Sequence, residues 1–164
     1  MDFELIWGNA INRELFIAAG LGALIGLERD LSGKEPSLRT FSLICVGSCI
    51  FTIVSQSAVG GWTGGDPSRI AAQIVSGIGF LGAGAIFKSD NGVSGITTAT
   101  LIWATSAIGM AVGFGRTDLA ISGTLISLAI IILLKTVHGT IDMLQAKIPF
   151  LRPRPRPRSP HALE

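Results

Sequence analysis

Charge is scarce in these 164 residues: Asp, Glu, Lys and Arg together make up 15% of the chain. With a mean hydropathy of +0.57, that scarcity excludes an ordinary soluble domain. Cysteine is limited to Cys45 and Cys49, four apart with no His or acid beside them. That pattern reads as two small apolar fillers rather than metal ligands. Nothing pairs a nucleophile with a base, and neither a metal-ligand cluster nor a phosphate loop stands in a plausible context. An enzyme is therefore not expected, nor a catalytic residue, a cofactor or a nucleic-acid partner. The N-terminus opens with Asp2 and Glu4 and lacks a small-residue cleavage site, so no leader is expected to be removed. Gly77-Ile78-Gly79-Phe80-Leu81-Gly82 matches the letters of the dinucleotide fingerprint, but it sits inside a long apolar run instead of after a strand.

What is present is a set of uncharged runs: Leu15 to Leu27, Thr40 to Gly65, Ile70 to Phe87, Asn91 to Gly115 and Leu119 to Leu134. A bilayer span takes about 20 mostly apolar residues. With flanking turns recruited at the first and last runs, the pattern predicts an all-α polytopic membrane protein with a bundle of five transmembrane helices. Residues 1–14 form an outer amphipathic segment with Trp7 as an interface anchor, and residues 15–137 form the bundle. Residues 138–150 keep enough periodicity for an interfacial helix, and residues 151–164 are a basic Arg-Pro tail, extended and mobile. Lys and Arg favour one side. Arg29, Lys34, Arg39, Lys88, Lys135 and the tail lie there, against Arg13, Arg69 and Arg116 opposite. That bias predicts N-out, C-in.

The stretch Asp66 to Gly84 combines charge and glycine where a membrane helix should tolerate neither. Asp66 before Pro67 reads as a helix start with a side-chain cap. Arg69, Ala72, Gln73, Ser76, Gly79 and Ala83 then fall on one face, polar at its mouth and small further along. This face is the candidate functional interior, and the polar site is assigned to Asp66, Arg69, Gln73, Ser76, Thr97 and Thr98. Two placements of Arg69 remain open, inward along the small face or outward to lipid phosphate.

Small residues also form packing seams. Ala18, Gly22 and Gly26 recur at four-residue spacing on the first helix. Gly77, Gly79, Gly82 and Gly84 lie on the third, and Gly109 and Gly113 on the fourth, in line with Thr98, Ile102 and Thr105. Three seams in one short chain predict a homodimer, with contact at Gly22 and Gly26 or at Gly109 and Gly113. Glu28, Arg29 and Arg39 form an inner charged cluster, either a solvated loop or a Glu28 to Arg39 pair joining the first two helices. Trp103, central in the fourth helix, is expected to be buried with its indole N–H paired. The fifth helix, rich in Leu and Ile, belongs at the periphery.

Gly26-Leu27-Glu28-Arg29, Arg39-Thr40, Asp66-Pro67-Ser68-Arg69-Ile70-Ala71-Ala72-Gln73, Val75 to Gly84, and Gly95-Ile96-Thr97-Thr98-Ala99 with Trp103 resemble the MgtC/SapB membrane proteins, from about Leu15 to Leu134. The resemblance implies a bacterial inner-membrane protein linked to growth in low magnesium, to virulence or acid stress, and to interaction with the membrane ATP synthase. Several members carry a further soluble C-terminal domain, whereas this chain has the Arg-Pro tail there. Two function classes follow: a regulator that binds membrane partners and lipid, or a small transporter or channel with its polar site at the start of the third helix. Hard divalent cations want several oxygen ligands. Asp66 and Glu28 fall at opposite ends with arginines beside both, which weighs against a magnesium path.

Overall fold

A computed structural model of the chain describes residues 10–59, 66, 68–89 and 92–147. The expectations placed on Trp7, on Pro67, on the Arg-Pro tail and on the last residues, 60–65, of the uncharged run from Thr40 to Gly65 lie outside those residues. Among the described residues there are five helices: α1 (Ala10–Leu31), α2 (Leu38–Val59), α3 (Ser68–Gly84), α4 (Ile96–Gly113) and α5 (Thr117–Lys147). Between α3 and α4 the short turn expected there is an antiparallel hairpin, β1 (Phe87–Ser89) and β2 (Gly92–Ser94), with Lys88 opposite Val93. The stretch from residue 138 onward continues α5 without a break and does not begin a helix of its own. Among the described residues three helices have segments long and apolar enough to cross a membrane: Leu38–Ala58, Ile96–Gly113 and Thr117–Val137. A shorter apolar helix, Ala71–Gly84, accompanies them.

The packing is organised on α2, which touches α1, α3 and α4. Its Phe41, Cys45, Ser48, Cys49, Thr52 and Ser55 recur at helical spacing and are buried. The polar members of that stripe have partners. Ser48 Oγ lies 2.8 Å from Ser106 Oγ across the α2–α4 contact, and Thr52 Oγ1 donates to the Ser48 carbonyl at 2.8 Å. In an interior without water such pairing is what makes hydroxyls tolerable.

The glycine seams of α1 and α4 are both used against α2. A Cβ on Gly22 would stand 2.6 Å from the Phe41 carbonyl oxygen and 2.8 Å from Cys45 Cβ. On Gly26 it would meet the Leu38 backbone, on Gly109 the Cys45 carbonyl, and on Gly113 the Cys49 carbonyl oxygen at 2.7 Å. Helix backbones approach this closely only where side chains are absent. Cys45 and Cys49 fill the space between the two seams, with both thiols free and buried. The dimer contact expected at Gly22 and Gly26 or at Gly109 and Gly113 is therefore not available, because the chain's own α2 occupies both.

Other features depart from expectation. Trp103 is 54% exposed, on the outward side of α4, because Leu101, Ile102, Thr105 and Ser106 take the inward side. The third helix, expected as the interior, is the least embedded of the first four, with Ala71, Ile78 and Gly82 as its buried residues. In α5 the first turns bury Ala120 and Thr124, and Gly123 lies 3.6 Å, by its Cβ position, from Ile108 of α4. Contacts divide the chain after Leu128. From Ala129 onward α5 is exposed at nearly every described side chain.

Candidate functional site

Two polar regions lie at opposite ends of α3, separated by the 17-residue helix, about 25 Å at 1.5 Å per residue. The expected single site of Asp66, Arg69, Gln73, Ser76, Thr97 and Thr98 is therefore split. Asp66 and Arg69 stand at the N-terminal end, whereas Thr97 and Thr98 open α4 beside the C-terminal end. A helix cannot bring its two ends together, and sequence spacing alone did not show which end of α3 meets α4.

At the first region, Asp66 Oδ1 accepts from the Ser68 backbone N–H at 2.9 Å and from Ser68 Oγ at 2.6 Å. This is the cap expected at the start of the helix. The Ser68 hydroxyl and then its N–H hold the Asp66 carboxyl below the usual carboxylate range. Such a group adds stability that is present above its ordinary pKa and lost as pH falls through the lowered value. Hydrogen exchange at the Ser68 and Arg69 amides, corrected for intrinsic rates, should thus accelerate as pH drops through that value. Asp66→Asn should remove the step. Arg69 is exposed, not turned into the bundle. Gln73 and Ser76 follow it on the exposed face, and Cβ positions at Gly77, Gly79 and Gly84 meet nothing within 4 Å. Those three glycines take no part in close packing within the described bundle, whereas Gly82 does, its Cβ position 3.6 Å from the Ala99 carbonyl oxygen.

The second region is built where α1 ends. Gly33, at φ 62°, terminates the helix: its N–H bonds the Asp30 carbonyl at 3.0 Å, and the Lys34 N–H bonds the Arg29 carbonyl at 3.0 Å. Only glycine adopts that left-handed position at no steric cost, and this pair of bonds closes the helix end. Asp30 Oδ2 then accepts from the Leu38 N–H at 3.2 Å, which ties the loop to the start of α2. Glu28 does not reach Arg39. It accepts from Ser32 Oγ at 2.6 Å and pairs with Arg29, Oε2 to Nε, at 3.5 Å, while Arg39 is exposed. Arg29 itself is 2% exposed, and its Nε makes no hydrogen bond.

Thr98 Oγ1 donates to the Glu35 carbonyl at 3.3 Å, which fastens the start of α4 to the same loop. Thr97 is exposed, and its carbonyl accepts from Thr100 Oγ1 at 2.8 Å. Gly95, at φ 84°, precedes α4 so closely under Ala85 that a Cβ would collide with the Ala85 carbonyl. Between the loop, the hairpin and the facing ends of α3 and α4 lies a cavity of about 1160 Å³, with Arg29 and Lys34 in its wall. Sequence reasoning missed Ser32, Lys34 and the Asp30 cap. The four-residue spacing of Glu28 and Ser32 and the glycine after the helix were the available signals.

Apolar helices of this length, joined by charged turns and packed through glycine seams with paired hydroxyls, define a helical membrane protein. Residues 15–140 match the MgtC family, and the chain belongs to that family. It is 44% identical over 122 residues to an Escherichia coli K12 protein named "Putative magnesium transporter YhiD", covering 71% of this chain and 57% of that one. It is 41% identical over 130 residues to Protein MgtC of Salmonella typhimurium 14028s, covering 79% and 54% respectively. The chain thus spans little more than half the length of these curated relatives. No solved structure matches it.

Proposed function

We propose that this protein is a non-enzymatic, five-span protein of the bacterial inner membrane. In this reading it regulates membrane physiology under low magnesium, acid or virulence-related stress by docking onto another membrane protein. The observation that carries the proposal is the exposed face of α3. Arg69, Gln73 and Ser76 lie on it with open glycine positions at 77, 79 and 84, while the seams of α1 and α4 are already filled. A helix backbone can approach such a face closely, and its amide, hydroxyl and guanidinium can pair across a contact from which water is excluded. The ATP synthase is the partner implied by the family resemblance. The homodimer expected from the sequence moves to this same face, so a second copy and a heterologous partner compete for it. Co-purification from membranes tests the proposal: ATP synthase subunits should accompany the native chain and be lost with Ser76→Leu.

A transport reading is favoured by the name of the Escherichia coli relative and by the size of the cavity near Arg29. Against magnesium as the cargo stands the cavity wall, where Arg29 and Lys34 face a single acid, Glu35. Mg²⁺ requires near-octahedral oxygen coordination, often through carboxylates.

The orientation is proposed as N-out, C-in from the excess of Lys and Arg. Cysteines placed at Lys34 and Lys88 should resist a membrane-impermeant maleimide in intact cells, and one at Arg116 should react. Labelling of the Lys34 position from outside would reverse the topology.

A further inference from the structure

The cavity under the α1–α2 loop adjoins a second one of about 550 Å³ between α2 and α3, and Thr40, Ile44 and Leu81 line both. The two differ in chemistry. The first has the buried Arg29 in its wall, with Lys34 and the hydroxyl-bearing Thr40 and Thr97 beside it. Among the described residues the Arg29 Nε has one long ion pair, to Glu28 at 3.5 Å, and no hydrogen bond. Glu35 is the acid in that wall, and Glu28 pairs with Arg29, which leaves the Lys34 ammonium and the rest of the Arg29 fork as the basic groups beside the cavity. The second cavity is apolar, lined by Leu43, Phe51, Ile74 and Ile78, with Gln73 as an exception.

Along α2 the apolar groove runs from Thr40 to Phe51, about 16 Å at 1.5 Å per residue, which is half of the ~30 Å hydrocarbon core. That is the reach of an acyl chain in one leaflet. A buried planar guanidinium in the cavity wall, with a neighbouring ammonium, suits a phosphate at its head. We propose that the adjoining cavities hold one anionic phospholipid, with its phosphate at Arg29 and Lys34 and an acyl chain in the groove between α2 and α3. The site rests on the protein being in a membrane, and it borders the proposed docking face, since Gln73 and Gly77 line the groove and Gly84 lines the head cavity.

Native mass spectrometry of the full chain released from detergent tests it, with phosphatidylglycerol, phosphatidylcholine of the same acyl chains, and inorganic phosphate as probes. One phosphatidylglycerol per chain should be retained, about fivefold more tightly than phosphatidylcholine. Removing Arg29 would leave Glu28 buried without its partner and threaten the fold, so two other variants decide. Lys34→Gln, at an exposed position, should weaken phosphatidylglycerol about fivefold and leave phosphatidylcholine unchanged. Gly47→Leu, where a Cβ meets nothing within 4 Å, should obstruct the groove and weaken both lipids. Equal binding of the two lipids, or binding indifferent to both variants, would overturn the proposal. Retention of phosphate without lipid would overturn it in favour of a soluble anion site. A lipid-free dimer would give the groove to a second copy and overturn it too.

Discussion

Gly109→Leu should strongly destabilise the bundle. A Cβ at that position collides with the Cys45 carbonyl, and the neighbouring atoms it meets are backbone of α2, which has no rotamer to yield. Overpacking a formed core costs about 1–3 kcal/mol, and with backbone opposing backbone the upper end applies. A loss of about 3 kcal/mol lowers the melting temperature by on the order of 10 °C. Because α2 also carries the contacts to α1 and α3, separating α4 from it disturbs the centre of the chain. Gly20→Leu is the matching control, since its Cβ would meet nothing within 4 Å and the same added volume should be tolerated. Thermal unfolding in one detergent, followed by fluorescence-detected size exclusion, separates the two. Equal stability of both variants would show that the α2–α4 contact is not as close as described.

The reverse pattern is expected on α3. Gly79→Leu places a side chain into open space, so the monomer should fold at least as well, since replacing glycine within a helix gains roughly 0.5–1 kcal/mol of propensity. The partner, however, loses the close approach that glycine allows. Obstruction at the centre of an interface costs about 2 kcal/mol or more, so binding should weaken by at least a factor of roughly 30. Stress-related growth should then fail although the protein is present in the membrane at normal level. Paired measurements make the case: a melting temperature that does not fall with lost co-purification for Gly79→Leu, against a clearly lowered melting temperature for Gly109→Leu. A Gly79→Leu protein that both folds and retains its partner removes α3 from the interface.

Much of this arrangement was legible in the order of residues. The helical class, the small-residue seams of α1 and α4, the Asp66 cap and the filler role of Cys45 and Cys49 follow from spacing and side-chain size, which are local properties. What spacing could not convey is which neighbour each face meets. The spacing of Gly22 and Gly109 suits a second copy, yet both are satisfied by α2, where each meets Cys45. The face of Arg69, Gln73 and Ser76 was read as interior, but the facing ends of α3 and α4 leave it outward. Glu28 offers the same lesson at short range: its pairing with Ser32 and Arg29 on its own helix and loop displaced the longer-range pairing to Arg39.

The central claim, that α3 presents the docking face, is tested most directly by site-specific photocross-linking in living cells. A photoreactive residue at Ser76 on that face is compared with one at Leu125, on the exposed side of α5. The account predicts a discrete protein adduct from position 76, containing an ATP synthase subunit and competed by a second copy of the chain, and lipid adducts alone from position 125. Lipid adducts alone from position 76, with a discrete protein adduct from position 125, would contradict it.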